Sequence, residues 1–178
     1  MTVLGIRLFG DPVLRQRARP LERVTDVHRS LAANMLETMR EAPGVGLAAP
    51  QVGVLERIFV WEVEDRSGAL VNPVIEERAA ELAEAEEGCL SIPGLYYPVV
   101  RPAAVRVSGL DTRGRPLTLD ADGLLARVLQ HEIDHLDGVL FIDHLPERLR
   151  KEALARLREE MLGLGPRQAV ESHPGETL

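Results

Sequence analysis

Residues 122–138 read DGLLARVLQHEIDHLDG, and this stretch decides the fold. Leu124, Leu125, Val128, Leu129 and Leu136 recur at helical spacing and give a broad apolar surface, so a helix is expected over 122–137. Gly138 is a natural left-handed stop for it. A helix with so much apolar surface needs other elements around it, which makes it the centre of the chain. Its polar residues therefore stand out. His131 and His135 are four apart and lie on one face, about 40° from each other around the axis. Two imidazoles so placed can reach one metal ion, with Glu132 beside a metal-bound water.

Outward from this helix, the flanking elements follow from local pattern. Upstream, Asp26–Glu41 reads as a first helix. Val27, Leu31, Met35 and Met39 line one of its faces, Thr25 or Asp26 caps its start, and Pro43 and Gly44 stop it. Residues 44–51, rich in small side chains, read as a loop. Residues 57–62 and 70–74 are strands by their β-branched and apolar content, and 99–110 holds one or two more. The acidic run 81–87 reads as a solvated face leading to a loop at 88–91 that carries Cys89. Residues 112–115 form a turn around Gly114. Downstream, a short strand is expected at 139–142. Pro146 then opens a third helix ending near Gly163. The order predicts an α+β fold: antiparallel strands packed around a central helix carrying H-E-x-x-H, plus an N-terminal and a C-terminal helix. Residues 1–163 form one catalytic domain, and 164–178 a loose polar tail.

Composition narrows the function. The chain has 178 residues, 45% of them hydrophobic and 28% charged. That suits one globular domain with a real core rather than a disordered chain. Net charge is −7 and aromatics are 3%, which argues against a polyanion binder or a base-stacking platform, and so against DNA. No apolar run is long enough to span a membrane or to form a secretory signal. Cys89 is the only cysteine, so no intramolecular disulfide can form and a reducing cytoplasm is expected.

A catalytic metal site of the zinc type has three protein ligands and one open position. The third ligand could be His28, His144, His173, a carboxylate or Cys89. A lone cysteine is often just a small buried hydrophobe. Beside H-E-x-x-H it is the favoured ligand, because a thiolate suits a borderline-soft ion.

Three stretches together resemble the signature motifs of peptide deformylases: Gly44-Val45-Gly46-Leu47-Ala48-Ala49-Pro50-Gln51, Glu87-Gly88-Cys89-Leu90-Ser91 and Gln130-His131-Glu132-Ile133-Asp134-His135. Order and spacing agree, and the opening Gly10-Asp11-Pro12-Val13-Leu14-Arg15 is also similar. The likeness runs to about Leu149. It implies a bacterial, cytoplasmic enzyme that removes the N-formyl group from formyl-methionyl nascent polypeptides and releases formate. It also implies that Cys89, His131 and His135 hold one divalent metal ion. Ferrous iron would be the ion in the cell, with zinc, nickel or cobalt as substitutes. Glu132 would be the general acid/base, and the Gln51 amide and the Leu90 N–H would face the oxyanion.

These implied roles are chemically coherent. A metal lowers the pKa of its bound water, so that hydroxide can attack the formyl carbon near neutral pH. Gln51 and Leu90 offer neutral donors to the negative charge that builds on the formyl oxygen. Glu132 can hand its proton to the departing amine. Val45 and Gly46, with Gly88 beside the thiol, are places where a peptide backbone can approach closely. Leu124 and Val128 share the helix face of the histidines and are either pocket walls or plain core. Arg127 falls near the same face, at a pocket rim. Asp134 either orients an imidazole or pairs with an arginine. Glu87 is the one member of the acidic run placed beside the ligand loop. On the third helix Arg148, Arg150, Lys151, Arg156 and Arg158 are interleaved with acidic residues and read as a solvated face; the resemblance implies a contact with the ribosome near the exit tunnel.

Two other readings share this hardware. A zinc endopeptidase also uses H-E-x-x-H, but the extended form with a third histidine fails at Phe141. A non-catalytic, metal-stabilised module for peptides or ribosomes would have four protein ligands and no use for Glu132.

Overall fold

In the computed structural model, residues 2–163 and 178 are described. After a 3-10 turn at Pro12–Arg15 comes α1 (Asp26–Glu41). Seven strands follow: β1 (Gly46–Ala48), β2 (Ile58–Val63), β3 (Arg66–Arg78), β4 (Leu82–Cys89), β5 (Ile92–Pro102), β6 (Ala104–Leu110) and β7 (Pro116–Asp122). Then come α2 (Gly123–Leu136) and α3 (Glu147–Met161). The strands form an antiparallel sheet in the order β1-β2-β3-β6-β7 and a separate antiparallel pair, β4-β5. The fold is α+β, as expected.

α2 packs against both sheets, and every residue from Leu125 to Leu136 except Asp134 is buried. One apolar cluster joins Val128 and Leu129 of α2 to Phe59, Trp61, Leu70 and Val107 on the inner face of the large sheet. A second cluster sets Met35 and Met39 of α1 with Ile58, Val60 and Val71 of the sheet. Neighbouring residues of β2 thus serve opposite faces, both covered, which is why its sequence reads as an unbroken apolar run. A third cluster joins Ile92, Leu95, Tyr97 and Val99 of β5 to Phe141, Ala153 and Leu157.

Local pattern misled at four places. The expected loop at 44–51 contains β1, an edge strand whose Gly46 pairs with Trp61 and Ala48 with Phe59. A short 3-10 turn, Ala49–Val52, follows it. The acidic run is β4, where Glu84 and Glu86 stay exposed while the backbone pairs with β5, whose apolar residues supply the burial. The expected strand at 139–142 is instead a 3-10 turn, Phe141–His144, because the Asp143 carboxylate accepts the Leu140 N–H at 2.9 Å and curls the chain. On α1, Val27 is 74% exposed, and the buried face is Ala32, Met35, Thr38 and Met39. Its first turn adds nothing to the packed face.

Among the strands, β3 is longer than the expected 70–74, β5 begins at Ile92 rather than 99, and β7 was not expected, while the limits of the helices lie close to those expected. α1 ends as predicted, α2 is capped by Asp122 and Asp137, and Gly138 takes φ +75° where a side chain would strike the Arg15 carbonyl. Of the expected tail, residues 164–177 lie outside the described residues, and Leu178 is buried.

Candidate active site

α2 delivers three side chains to one point. His131, Glu132 and His135 are all essentially fully buried. The imidazoles of His131 and His135 are 4.9 Å apart, inclined at 70°. β4 ends at Cys89, whose Sγ lies 3.2 Å from His135 Nε2. One ligand atom from each of Cys89, His131 and His135 falls within 4.8 Å of the others, a spacing that could hold a metal ion. His28 and His144 are elsewhere: His28 bonds Thr25, and His144 bonds Asp134. His173 lies outside the described residues.

The donor chemistry fits a metal. Glu87 is buried and accepts from His131 Nδ1 at 3.0 Å, so that nitrogen carries the proton and His131 Nε2 keeps a free lone pair. His131 Nε2, His135 Nδ1 and both Glu132 oxygens are buried without a hydrogen-bond partner among the described residues. Such orphans are rare in native interiors and mark places where something else is meant to bind. Burial first, then the neighbouring His131 and Arg101, push the His135 pKa well below its ordinary value and keep the ring neutral. Burial pushes the Cys89 thiol up to about 12, against N–H donors around Ser91 and Ile92. A cation among these ligands would favour the thiolate.

Glu87 is the centre of a dense ionic knot. Arg101 grips it with two bonds, 2.5 and 2.9 Å, and Arg127 adds a third at 2.7 Å. Burial pushes Glu87 up, but the Arg101 and His131 bonds outweigh it and hold the carboxyl below the usual range. Arg127 also donates to the Val99 and Ala83 carbonyls, so it ties α2 to β4 and β5 rather than edging a pocket. Asp134 accepts from Arg101 at 2.8 Å and His144 at 2.7 Å, and so takes the arginine alternative. Arg101 went unnoticed in the sequence, because nothing in its strand context signals a partner across the sheet.

Around the knot sit the remaining candidates. Gln51 Oε1 accepts the Ala48 N–H at 2.8 Å, which turns Nε2 toward Cys89 Sγ (3.6 Å) and Ser91 Oγ (3.2 Å). Gly46 borders Glu132 so closely that a side chain there would collide with the carboxylate. Gly88 lies against the Tyr96 ring in the same way. Val45 and Leu124 are partly buried against the cluster that contains Val128. The Leu90 N–H donates to the main-chain oxygen of Leu178 at 3.2 Å.

A buried carboxylate left without partners beside a thiol and two imidazoles is the arrangement of a metal-dependent hydrolase. The sequence model of the family described as polypeptide deformylase matches residues 3–151. A peptide deformylase of Acidothermus cellulolyticus is 48% identical over 175 residues, 98% of this chain and 97% of its own length. The structure resembles that of peptide deformylase from Thermus thermophilus, with a TM-score of 0.85 and 51% identity, covering 91% of this chain and 97% of that one. It also resembles the Ehrlichia chaffeensis peptide deformylase in complex with actinonin, with a TM-score of 0.86 and 37% identity, covering 90% and 98%. The chain belongs to the polypeptide deformylase family. It is a metal-dependent hydrolase that removes formyl groups from peptides, and the endopeptidase and non-catalytic readings are not favoured.

Proposed function

We propose that Cys89, His131 and His135 are the metal ligands, with ferrous iron the ion in the cell, and that the enzyme acts on formyl-methionyl nascent chains in a bacterial cytoplasm. When bound, the metal supplies Lewis acidity and a nucleophilic water near neutral pH. The single observation that carries the catalytic reading is Glu132. Burial first, then the Glu87 and Asp134 charges, push its pKa well above the ordinary carboxylate value. A carboxyl raised in that way takes a proton more readily than an ordinary one and can return it to the leaving amine.

The Gln51 amide and the Leu90 N–H serve as oxyanion donors. What supports Gln51 is its anchoring through Oε1, which leaves the N–H group fixed before substrate arrives. The substrate backbone adds to the free edge of β1 at Val45 and Gly46, with Gly88 beside Cys89 on β4. Leu124 and Val128 form the wall for the methionine side chain. No helix among the described residues is long and apolar enough to cross a membrane.

Residues 1–163 act as the catalytic domain, and the exposed arginines of α3 as a ribosome contact. Ala153 and Leu157 of α3 are core residues, so removing the helix would unfold its surroundings. Reversing Arg148 and Arg158 to glutamate is the cleaner ribosome test. Weaker co-sedimentation is expected, and unchanged co-sedimentation would reject the contact.

The function is tested with metal-loaded protein purified without air. Formate should be released from a formyl-Met tripeptide, while the unformylated peptide stays intact. Cleavage of an internal bond, or no formate from folded and metal-replete protein, would contradict the reading.

A further inference from the structure

Leu178 lies far from α3 in sequence and packs among the described residues of the core. It is 1% exposed and belongs to the apolar cluster that holds Val128 and Leu129, against which Val45 and Leu124 pack. Of these, Leu124 and Val128 are the residues assigned above to the methionine pocket. Its main-chain oxygen accepts from the Leu90 N–H, the donor assigned above to the oxyanion. A buried apolar side chain in the cluster that includes the pocket wall, and an oxygen on that N–H, are two halves of what a substrate must present.

We propose that Leu178 is a ligand of the chain's own substrate site, competing there with formyl-methionyl peptides. The inference rests on the deformylase reading of Leu90 and of the pocket. The competition is direct, because an N–H bonded to Leu178 is not free for a formyl oxygen. Residues 164–177 link Leu178 to Gly163, and a chain of that length can span about 45–50 Å, so reach is no obstacle. A single leucyl side chain with one hydrogen bond is a weak ligand, of about millimolar class. A short covalent tether supplies an effective concentration of the same order, about millimolar. Leu178 therefore occupies the site for roughly half the time, and peptide substrate displaces it without a large penalty.

The test compares the full chain, a chain ending at Gly163, and the full chain with Leu178→Asp. All are loaded with zinc and read two ways: formate release from a formyl-Met tripeptide, and the shift and hydrogen exchange of the Leu90 amide. Both altered chains should show KM lowered about twofold with kcat unchanged, and a Leu90 amide that shifts and exchanges faster. If KM and the Leu90 amide are the same in the full chain and in Leu178→Asp, the proposal is wrong, whether or not the shortened chain folds. If no form releases formate, the deformylase reading fails, and the Leu90 amide still decides whether Leu178 is bound there.

Discussion

Two glutamates lie at the heart of this protein, both fully buried, and they could hardly be treated more differently. Glu87 is held by Arg101, Arg127 and His131, and its carboxyl titrates below the usual range. Glu132 has no partner for either oxygen among the described residues, and its carboxyl titrates well above it. The two are linked through His131, which neighbours Glu132 in sequence and bonds Glu87 in space. The satisfied carboxylate holds the histidine still, and the unsatisfied one keeps its proton chemistry available. A fold tolerates one such orphan when the surrounding network is complete.

The sharpest way to break this comparison is to remove each glutamate in turn. Glu132→Ala should lower kcat by about 10²–10⁴ while the protein keeps its metal and its thermal midpoint, as read by formate release, metal analysis and calorimetry. Glu87→Ala should do the reverse. It takes the shared carboxylate from two buried guanidinium groups, so unfolding in urea should show a loss of about 3–5 kcal/mol, and metal affinity should fall about 10–100-fold because His131 loses its orienting partner.

Smaller effects sharpen the same contrast. Gln51→Ala keeps the knot intact and removes one donor from the unsatisfied side. Turnover should drop about 10²–10³-fold with little change in urea midpoint. Metal affinity should also depend on pH. The Cys89 thiol is protonated until about 12 without a cation, and His135 is already neutral, so binding must expel the thiol proton. Apparent affinity measured by competition with a chelator should weaken about tenfold for each unit by which pH falls near neutrality. A pH-independent affinity would mean that sulfur is not a ligand.

How much of this was legible beforehand depends on whether the signal was local. The periodicity of α2 and its glycine stop are properties of one segment, and their reading matches the structure; the two histidines of that segment are brought together beside Cys89. The limits of α1 were equally local. β4 was hidden because Glu84 and Glu86 look solvated. They are exposed, yet the backbone between them pairs with β5. The turn after α2 was hidden because Val139, Leu140, Phe141 and Ile142 look like a strand until Asp143 closes back on the Leu140 N–H. Within the site, Cys89, His131, His135 and Glu132 carry their chemistry in their residue types. The grip of Arg101 on Glu87 joins residues fourteen apart on paired strands and offset in register, a link no local pattern shows.

The central claim is that the unpartnered carboxylate does the chemistry, while its saturated neighbour builds the site. The most direct test is Glu132→Gln, which keeps the shape and removes the titratable proton. Metal content and single-turnover formate release should be measured on the same preparation. The account predicts full metal retention with release slowed at least about hundredfold. Release within about tenfold of the parent enzyme, with metal retained, would contradict it.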